Sequence, residues 1–392
     1  MSWGLFMHRR TVLKIAAAGT AALVRPLSHG AQSSMIRLRS DRNFTHPGLF
    51  HTKGELAFIK ANIEGGKQPW DRHWQAMAAA AKGMLAFEPK PYRKVERGPS
   101  NRPDIGSTEL MRDASAAYTL ALAWCLSGDK TYATNAIAML NAWSAKLELL
   151  EGHDTKLLSG MAGVKFVNAA ELLHHTFDGW EAGDQDRFEG MLRGVFYEPI
   201  KDFYPTANGN WDASMIQTML GMGIFLDDSE MFDRAATYYR QGEGNGAITH
   251  YFNEFGQCQE SGRDQAHTQM GLGFLGCACE MAWKQGVDLY GEADSLLAKG
   301  FEYTAKYNLG HDVPYEPYIS VEGRYKYKRI SDKARGRFAP IYRRAVYHYH
   351  YRKGMQMPFT REAAKQPVEA RSIRRGWAHI RWTDLMFAEL PE

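Results

Sequence analysis

Two stretches of the sequence concentrate the residue types that proton transfer and anion binding require. One reads NGNWDASMIQTML and the other reads GQCQESGRDQAHTQM. The second contains four ionisable residues: Glu260, Arg263, Asp264 and His267. Their spacing of i, i+3, i+4 and i+7 predicts one helical face that carries two carboxylates, a guanidinium and an imidazole.

A solvated face of ion pairs with a capped helix start explains the same residues, since Glu–Arg pairs at this spacing are common. The glutamines favour a functional interpretation, because a wet helix face opposite the apolar run GLGFLG normally carries Lys and Glu. We therefore expect Gln259, Glu260 and Gln265 to contact a ligand.

Asn210 and Trp211, in the first stretch, allow two interpretations. In one, Asn210 caps a helix that begins at Asp212 and Trp211 is a core anchor. In the other, Asn210 lies at the mouth of a cleft and Trp211 stacks on a sugar ring.

Helices must position these groups. Apolar residues recur at three- and four-residue spacing between Gly and Pro residues, which predicts helices over 55–63, 70–86, 109–126, 130–150, 160–177, 184–197, 211–226, 229–241, 263–285 and 292–307. The sequence Ser127-Gly128-Asp129 predicts a tight turn between two of them. Such pairs recur without a strict period, which favours an all-α single domain, a barrel of irregular helical hairpins around one axis, over a regular solenoid.

Residues 1–31 have the pattern of an export signal. Arg9 and Arg10 precede a short apolar run, and the small residue Ala31 follows a polar stretch. The arginine pair resembles the twin-arginine export motif. We expect cleavage near residue 31 and a mature chain, residues 32–392, that is periplasmic or secreted. No later segment reaches the roughly 18 apolar residues of a membrane helix, so no membrane association is expected after cleavage.

The net positive charge of the whole chain comes from this segment. The formal net charge is +4, and residues 1–31 carry four basic and no acidic residues. The remaining chain is neutral, so a general nucleic-acid-binding surface is not expected.

The sequence predicts neither a metal site nor a cofactor. Four cysteines lack the CxxC spacing of a zinc site, and Cys277 and Cys279 lie in an apolar run typical of core thiols, although one bridge that includes Cys258 stays open. His174 and His175 follow an apolar helix without an evident carboxylate partner, which favours a pair at a helix end over a metal site.

Taken together, these motifs resemble the alginate-lyase-like polysaccharide lyases, in the branch that contains alginate and glucuronan lyases. The resemblance rests on GNWDASMIQTMLGMGIFLDD, GQCQESGRDQAHTQMGLGFL and EYTAKYNLGHDVPYEPY, with looser similarity over residues 46–354. It implies an incomplete α/α toroid with a groove across one end, and an anionic polyuronate as substrate. The polymer (mannuronate, guluronate or glucuronate), endo or exo action and the oligomeric state stay open.

The resemblance also implies a mechanism. Lyases of this kind abstract the C5 proton of a uronate and expel the C4 oxygen, so the neighbouring carboxylate must be neutralised as negative charge develops. Asn210 and His267 would be neutralisers or base, and Arg263 the positive clamp. The familiar motif has Asn-His beside its tryptophan, whereas this chain has Asn210-Trp211, so the histidine role is assigned to His267.

A tyrosine is the remaining catalytic group. Tyr325 is our choice, because the basic residues around it in GRYKYKR favour the phenolate form. Further substrate contacts are expected from Tyr303, Tyr315, Arg324, His348 and Tyr349. The last two also fit an aromatic wedge that closes the barrel. The segment 324–353 holds 11 basic residues and one acidic residue, which suits either an anionic groove or a solvated loop.

Two other functions compete with the lyase. A glycoside hydrolase would use Glu260, Asp264 or Asp212 as paired carboxylates. A non-catalytic protein would only hold an anionic glycan in the same groove. Elimination leaves a conjugated double bond that neither alternative produces.

Overall fold

Helices make up most of residues 42–368 and 378–388, the part of the chain that this computed structural model describes. All of it belongs to one unit, residues 39–392. The helices are α1 (Lys53–Glu64), α2 (Trp70–Met84), α3 (Ser107–Ser127), α4 (Lys130–Ser144), α5 (Thr155–Thr176), α6 (Ala182–Met191), α7 (Glu198–Ile200), α8 (Gly209–Phe225), α9 (Ser229–Gln241), α10 (Ile248–Tyr251), α11 (Gln265–Lys284), α12 (Glu292–Asn308), α13 (Tyr342–Ala345), α14 (Pro358–Ala363) and α15 (Thr383–Met386). Wider π-helical turns, Leu192–Tyr197 and Val346–Arg352, continue α6 and α13.

Four long helices form an inner layer, in the order α3, α5, α8 and α11, each packed against the next. Their side chains are apolar or small on nearly every face of the helix. The helix α8, for example, is buried almost throughout. Each of α3, α8 and α11 packs against an outer partner, respectively α4, α9 and α12. The outer helix α9 buries only one face, as an amphipathic surface helix does. This arrangement of hairpins is the predicted α/α toroid.

Short strands cap the helical layers. Three form a small sheet: β1 (Lys94–Arg97), β2 (Asp104–Ile105) and β3 (Leu149–Glu151), with β1 in the middle and parallel to β3. Two more, β4 (Tyr318–Ile319) and β5 (Lys326–Tyr327), form an antiparallel hairpin in which Tyr318 pairs with Tyr327. The all-helical prediction did not include these strands, which are two to four residues long.

Most predicted helix ends lie within two residues of the observed ones, but α5 begins five residues earlier than predicted, at Thr155, and two other ends are informative. The helix expected over 130–150 ends at Ser144, because residues 149–151 pair with β1. The helix expected from residue 263 begins at Gln265, because the side chain of Asp264 caps it. Glu260 and Arg263 therefore lie in the preceding turn, and the prediction of one continuous helical face is wrong.

Other sequence predictions have direct structural outcomes. The turn at residues 127–129 is confirmed: Gly128 has a φ of 75°, and Asp129 accepts a hydrogen bond from the Thr131 N–H. The four cysteines are free, three of them buried. Residues 1–31, the predicted export signal, lie outside the described residues. Within the described residues, no helix is long and apolar enough to cross a membrane.

The backbones of α5 and α8 approach so closely that a side chain would not fit between them. A Cβ atom on Gly160 would lie 2.6 Å from the carbonyl oxygen of Ser214. Thr218 and Gln217 use this proximity, since both donate hydrogen bonds to the Gly160 carbonyl, at 2.6 and 3.1 Å. The glycine thus sets the spacing of the two central helices.

Replacing Gly160 with alanine should therefore destabilise the fold. We expect a loss of about 1–3 kcal/mol in the free energy of unfolding, because the added methyl group forces the backbones apart. Urea denaturation followed by circular dichroism measures it. Gly190→Ala, at an exposed position of α6 with open space around it, is the control and should be neutral or stabilising. Equal effects of the two variants would contradict the close-packing argument.

Candidate active site

A buried carboxylate, Glu260, lies at the centre of the turn before α11. Its Oε1 accepts a hydrogen bond from Arg263 Nη1 at 2.7 Å, and its Oε2 accepts one from the Tyr251 hydroxyl at 2.8 Å. Burial raises the pKa of Glu260, although the charges of Arg263 and His267 oppose the rise. The Arg263 side chain is 29% exposed and a guanidinium has five N–H donors. It therefore keeps donors for a second anion at the surface.

Asp264 orients His267 at the start of α11. The carboxylate accepts a hydrogen bond from the backbone N–H of His267 at 2.8 Å, and its two oxygens lie 2.9 and 2.8 Å from His267 Nδ1. Burial alone would raise the pKa of Asp264, but the bond to His267 and the charge of that ring lower it to about 2. A carboxylate on Nδ1 selects the tautomer whose Nε2 accepts a proton. Asp264 and His267 are thus arranged as an oriented general base.

Asn210 lies in the first turn of α8, against α11. Its Nδ2 is 3.5 Å from Met270 Sδ, and Met270 is three residues after His267. The amide therefore contacts α11 at a residue one helical turn after His267. Asn210 is 1% exposed, and its Oδ1 has no hydrogen-bond partner among the described residues. A ligand donor at this oxygen, or a rotated amide that offers its N–H groups, would recover the cost of about 1–3 kcal/mol that such an atom carries.

An aromatic wall continues from Asn210 along the surface. The half-buried Trp211 contacts His153 and Tyr204 edge-on, with ring centroids 5.6 and 5.5 Å apart. The exposed Arg324 hydrogen bonds to Tyr204 and lies 5.4 Å from the ring of Tyr325. Aromatic rings beside a cation suit a sugar that carries a carboxylate.

A cavity of about 510 Å³ opens beside the first turns of α11. Along α11 it is lined by Ala266, Gln269 and Met270, the residue that contacts Asn210. Three arginines line it, Arg97, Arg337 and Arg381, and Arg97 is paired with Asp154 at 3.7 Å. One carboxylate, Asp384, also lines it but is paired with Arg343 at 3.1 Å. The cavity and the aromatic wall both adjoin the contact between Asn210 and Met270; together they form the candidate groove, and both contain arginines.

The β4–β5 hairpin packs against the turn that holds Arg263. A Cβ atom on Gly262 would lie 2.5 Å from the Tyr315 hydroxyl, and this hydroxyl donates to the Tyr327 carbonyl at 3.1 Å. Tyr327 therefore lies beside Arg263. Burial raises the pKa of Tyr327 to about 12 although the Arg263 charge opposes this, so the phenol keeps its proton at neutral pH. Tyr325 is two residues earlier in an extended segment, on the same face.

Three residues expected to contact substrate instead support the site from within. Gln259 accepts a hydrogen bond from the Gly209 N–H at 2.8 Å and so fixes the start of α8. Gln265 donates to the Ser331 carbonyl at 2.9 Å. Both are about 1% exposed or less, as is Glu260. Buried amides satisfied by the backbone position loops and do not reach a ligand.

Other predicted contacts lie away from the groove. Tyr303 is buried and donates to the Pro314 carbonyl at 2.7 Å. His348 stacks on Tyr290 with centroids 3.8 Å apart, and the Tyr349 hydroxyl donates to the Tyr290 carbonyl. Both are buried in the core, which corrects the expectation that they touch substrate and agrees with the aromatic-wedge interpretation.

The basic segment 324–353 divides into two parts. Its first part is exposed beside the groove, at Arg324, Lys326, Lys328 and Arg329. Its second part makes contacts inside the protein, since Arg344 is 1% exposed and Arg352 donates two hydrogen bonds to the buried Glu280 at 2.9 Å. The charge count alone therefore overstates the positive surface.

Sequence reasoning missed several residues of the groove. Tyr327 was not predicted, although alternation along a strand would have placed it on the same face as Tyr325. His153 and Arg97 lie in loops and strands remote from the two motifs, and Arg381 is near the end of the chain. No local pattern marks these three, because only the fold brings them to the groove.

Comparison with known proteins identifies the architecture. The alginate lyase family model matches residues 67–313, more than half of the chain. The chain belongs to the alginate lyase family. It is a polysaccharide lyase. No curated protein matches the sequence significantly.

Solved structures agree with this assignment at the level of the fold. An alginate lyase from Bacteroides ovatus has a TM-score of 0.64 at 13% identity, over 88% of this chain and 100% of that one. Alginate lyase A1-III from Sphingomonas species A1 has a TM-score of 0.56 at 14% identity, over 86% and 95%. A variant of A1-III complexed with a tetrasaccharide has a TM-score of 0.59 at 15% identity, over 86% and 94%.

The carboxylates of this lyase are not arranged as a hydrolase pair. Glu260 is fully buried, and Asp264, which is 3% exposed, is used by the His267 ring and backbone. Asp212 is also buried and accepts hydrogen bonds from the Tyr204 N–H and the Tyr238 hydroxyl. A glycosidase needs two carboxyl groups that flank the scissile bond, and these three do not face the groove.

Asp212 instead fixes the loops beside Trp211, which gives a pH-dependent prediction. Burial raises its pKa from 3.8 to about 6, against opposing hydrogen bonds. Between about pH 4 and pH 6 the folded protein holds a proton that the unfolded chain has released. The contribution of Asp212 to stability therefore falls as pH rises through this window, by roughly 3 kcal/mol in total.

Asp212→Asn should remove this dependence, because asparagine is neutral in both states. Relative to wild type, the free energy of unfolding of the variant should rise between pH 4 and pH 7. Urea denaturation at each pH measures the difference. Asp178→Asn, at an exposed position, is the matched control. A difference between Asp212→Asn and wild type that does not vary with pH would refute the assignment.

Proposed function

We propose that this lyase cleaves a polyuronate of the alginate type by β-elimination, in the groove between the aromatic wall and the arginine-lined cavity. The observation that carries the proposal is the contact of Asp264 with His267 Nδ1, next to Arg263 and in the part of α11 that Asn210 contacts. These groups supply a base, a cation and an amide in one place. Abstraction of a C5 proton beside a carboxylate needs all three.

The proposed roles follow from the chemistry of each group. Arg263 and Asn210 bind the uronate carboxylate and stabilise the charge that develops on it, since directed donors in a partly dry site are effective there. His267, oriented by Asp264, accepts the C5 proton. Tyr327 keeps its proton at neutral pH and gives it to the departing C4 oxygen. This assignment replaces Tyr325, whose place two residues from Tyr327 makes it a substrate contact.

The polymer extends in both directions from these groups. On one side Trp211 offers a ring to a sugar and Arg324 offers a cation to its carboxylate. On the other side lies the cavity, where Arg381 would be the cation that faces the polymer. We also propose export through the twin-arginine-like segment, which would bring the enzyme to polymers too large to enter a cell.

The purified chain should release unsaturated products from a polyuronate, detected by the ultraviolet absorbance of the new double bond. We would incubate it with polymannuronate, polyguluronate and glucuronan. His267→Ala should lower kcat by about 10²–10⁴-fold, with an unchanged circular dichroism spectrum. His311→Ala, at an exposed histidine outside the groove, should be fully active. Absence of the absorbance change with every polymer would overturn the proposed substrate class.

The two neighbouring tyrosines can be separated by removing one hydroxyl at a time. Tyr327→Phe should reduce kcat by about 10²-fold or more, because the general acid is lost. Tyr325→Phe should mainly raise KM, because it removes a contact made before and during the reaction. Steady-state kinetics on the best polymer from the first assay measure both. The reverse pattern would assign the acid to Tyr325.

A further inference from the structure

A second group of titratable residues lies at the opposite end of the inner helices. Glu171 and His175 are four residues apart near the C-terminal end of α5, so they share one helical face. His46, from the segment before α1, completes the group. One carboxylate oxygen of Glu171 lies 2.9 Å from His46 Nδ1, and the other lies 3.5 Å from His175 Nε2. Glu171 is thus the carboxylate partner that the sequence interpretation of His174 and His175 overlooked.

The side chain of Glu171 is almost completely buried, with 1% exposure. Its Oε1 accepts a hydrogen bond from the Gly48 N–H at 2.8 Å, whereas its Oε2 has only the contact with His175 Nε2 at 3.5 Å among the described residues. A buried carboxylate oxygen with a single long contact is poorly stabilised. A cation at this point would satisfy it.

The donor atoms of the three residues lie within 4.8 Å of one another. Donors that share a tetrahedral ion with bonds of about 2.1 Å are roughly 3.4 Å apart. The rings of His46 and His175 are stacked, with centroids 4.4 Å apart and planes 19° apart, so closing on an ion requires one ring to rotate in addition to shifts of about 1 Å. His46 and His175 are both partly exposed, at 15% and 24% of their side chains, so both can make such movements.

The surroundings have the form of an outer shell around a metal site. Asp227 accepts from the second ring nitrogen of His46, Nε2, at 3.3 Å. A carboxylate on the far nitrogen of a metal-binding histidine orients the ring and raises its basicity. The Gly48 N–H, which donates to Oε1 of Glu171, orients that carboxylate in the same way. Zinc commonly binds two imidazoles and one carboxylate. Here each of the three side chains is held by an outer hydrogen-bond partner or by its helix.

We propose that His46, Glu171 and His175 bind one divalent transition-metal ion, with zinc the best fit, and that water fills the fourth position. The ion would not take part in the lyase reaction. His267 and Asn210 lie in the first turns of α11 and α8, whereas Asp227 follows the last turn of α8, about 25 Å along that helix. The role of the ion would be to hold the segment around His46 against α5.

Cobalt substitution tests the site without reference to activity. The full chain, without a purification tag and stripped with a chelator, would be titrated with Co²⁺. We expect one equivalent to bind and to give the visible absorption of tetrahedral cobalt, and Zn²⁺ to displace it. Thermal melting should shift upward with Zn²⁺, because an ion that binds only the folded state stabilises it.

Adjacent histidines provide a matched pair of variants. His175→Ala should weaken binding by about 100-fold or more and abolish the cobalt spectrum and the melting shift. His174→Ala, at the exposed neighbour outside the group, should retain all three. If His175→Ala does not fold, His46→Gln removes a second ligand outside the helices and should give the same loss. Circular dichroism checks the fold of each variant.

Two results would overturn the proposal. One is the absence of stoichiometric cobalt or zinc binding to the wild-type chain, which would make the group an arrangement of hydrogen bonds and ion pairs only. The other is equal binding by His174→Ala and His175→Ala, which would place the metal elsewhere. Neither result bears on the lyase activity, because the assay for elimination is separate.

Discussion

The buried carboxylate of Glu260 is the group on which the geometry of the active site depends. Removal of a carboxylate from water is costly unless partners replace the solvent. Arg263 and the Tyr251 hydroxyl are those partners. The ring of Tyr251 in turn occupies space that only glycine leaves free, at Gly209 in α8 and Gly271 in α11. One buried charge thereby connects the first turns of two inner helices, and these turns carry Asn210 and His267.

The direction of the inner helices explains why the chemistry lies at one end of the toroid. Because each inner helix is followed by a returning outer segment, α5, α8 and α11 begin at the same end. His153, just before α5, contacts Trp211 at the start of α8, and Asn210 contacts Met270 near the start of α11. Helix N-termini favour negative charge. The end where they meet is therefore suited to an anionic polymer, and the arginines of the cavity reinforce it.

Several features followed from local sequence. The Gly and Asp at residues 127–129 are typical of a hairpin turn with a known conformation. The positions of the helices were predicted from the periodicity of apolar residues. The ion pair between Glu260 and Arg263 was foreseen from three-residue spacing, and Asp264 and His267 were placed on the same face without being paired. They were assigned to a helix, whereas the first pair lies in a turn, since a turn and a helix bring residues three apart into similar proximity.

The sequence by itself determined the helical hairpins, the fold class and the polar motifs that contain Asn210, Arg263 and His267, because these depend on short-range periodicity and on residue chemistry. Only the tertiary structure decided which polar groups face solvent. Gln259 and His348 are as polar as His267 in sequence, yet the packing of other helices buries them. It also decided that Arg97 and Arg381, more than 200 residues apart in sequence, line one cavity. Burial and long-range proximity arise from the packing of whole helices, and no local pattern encodes them.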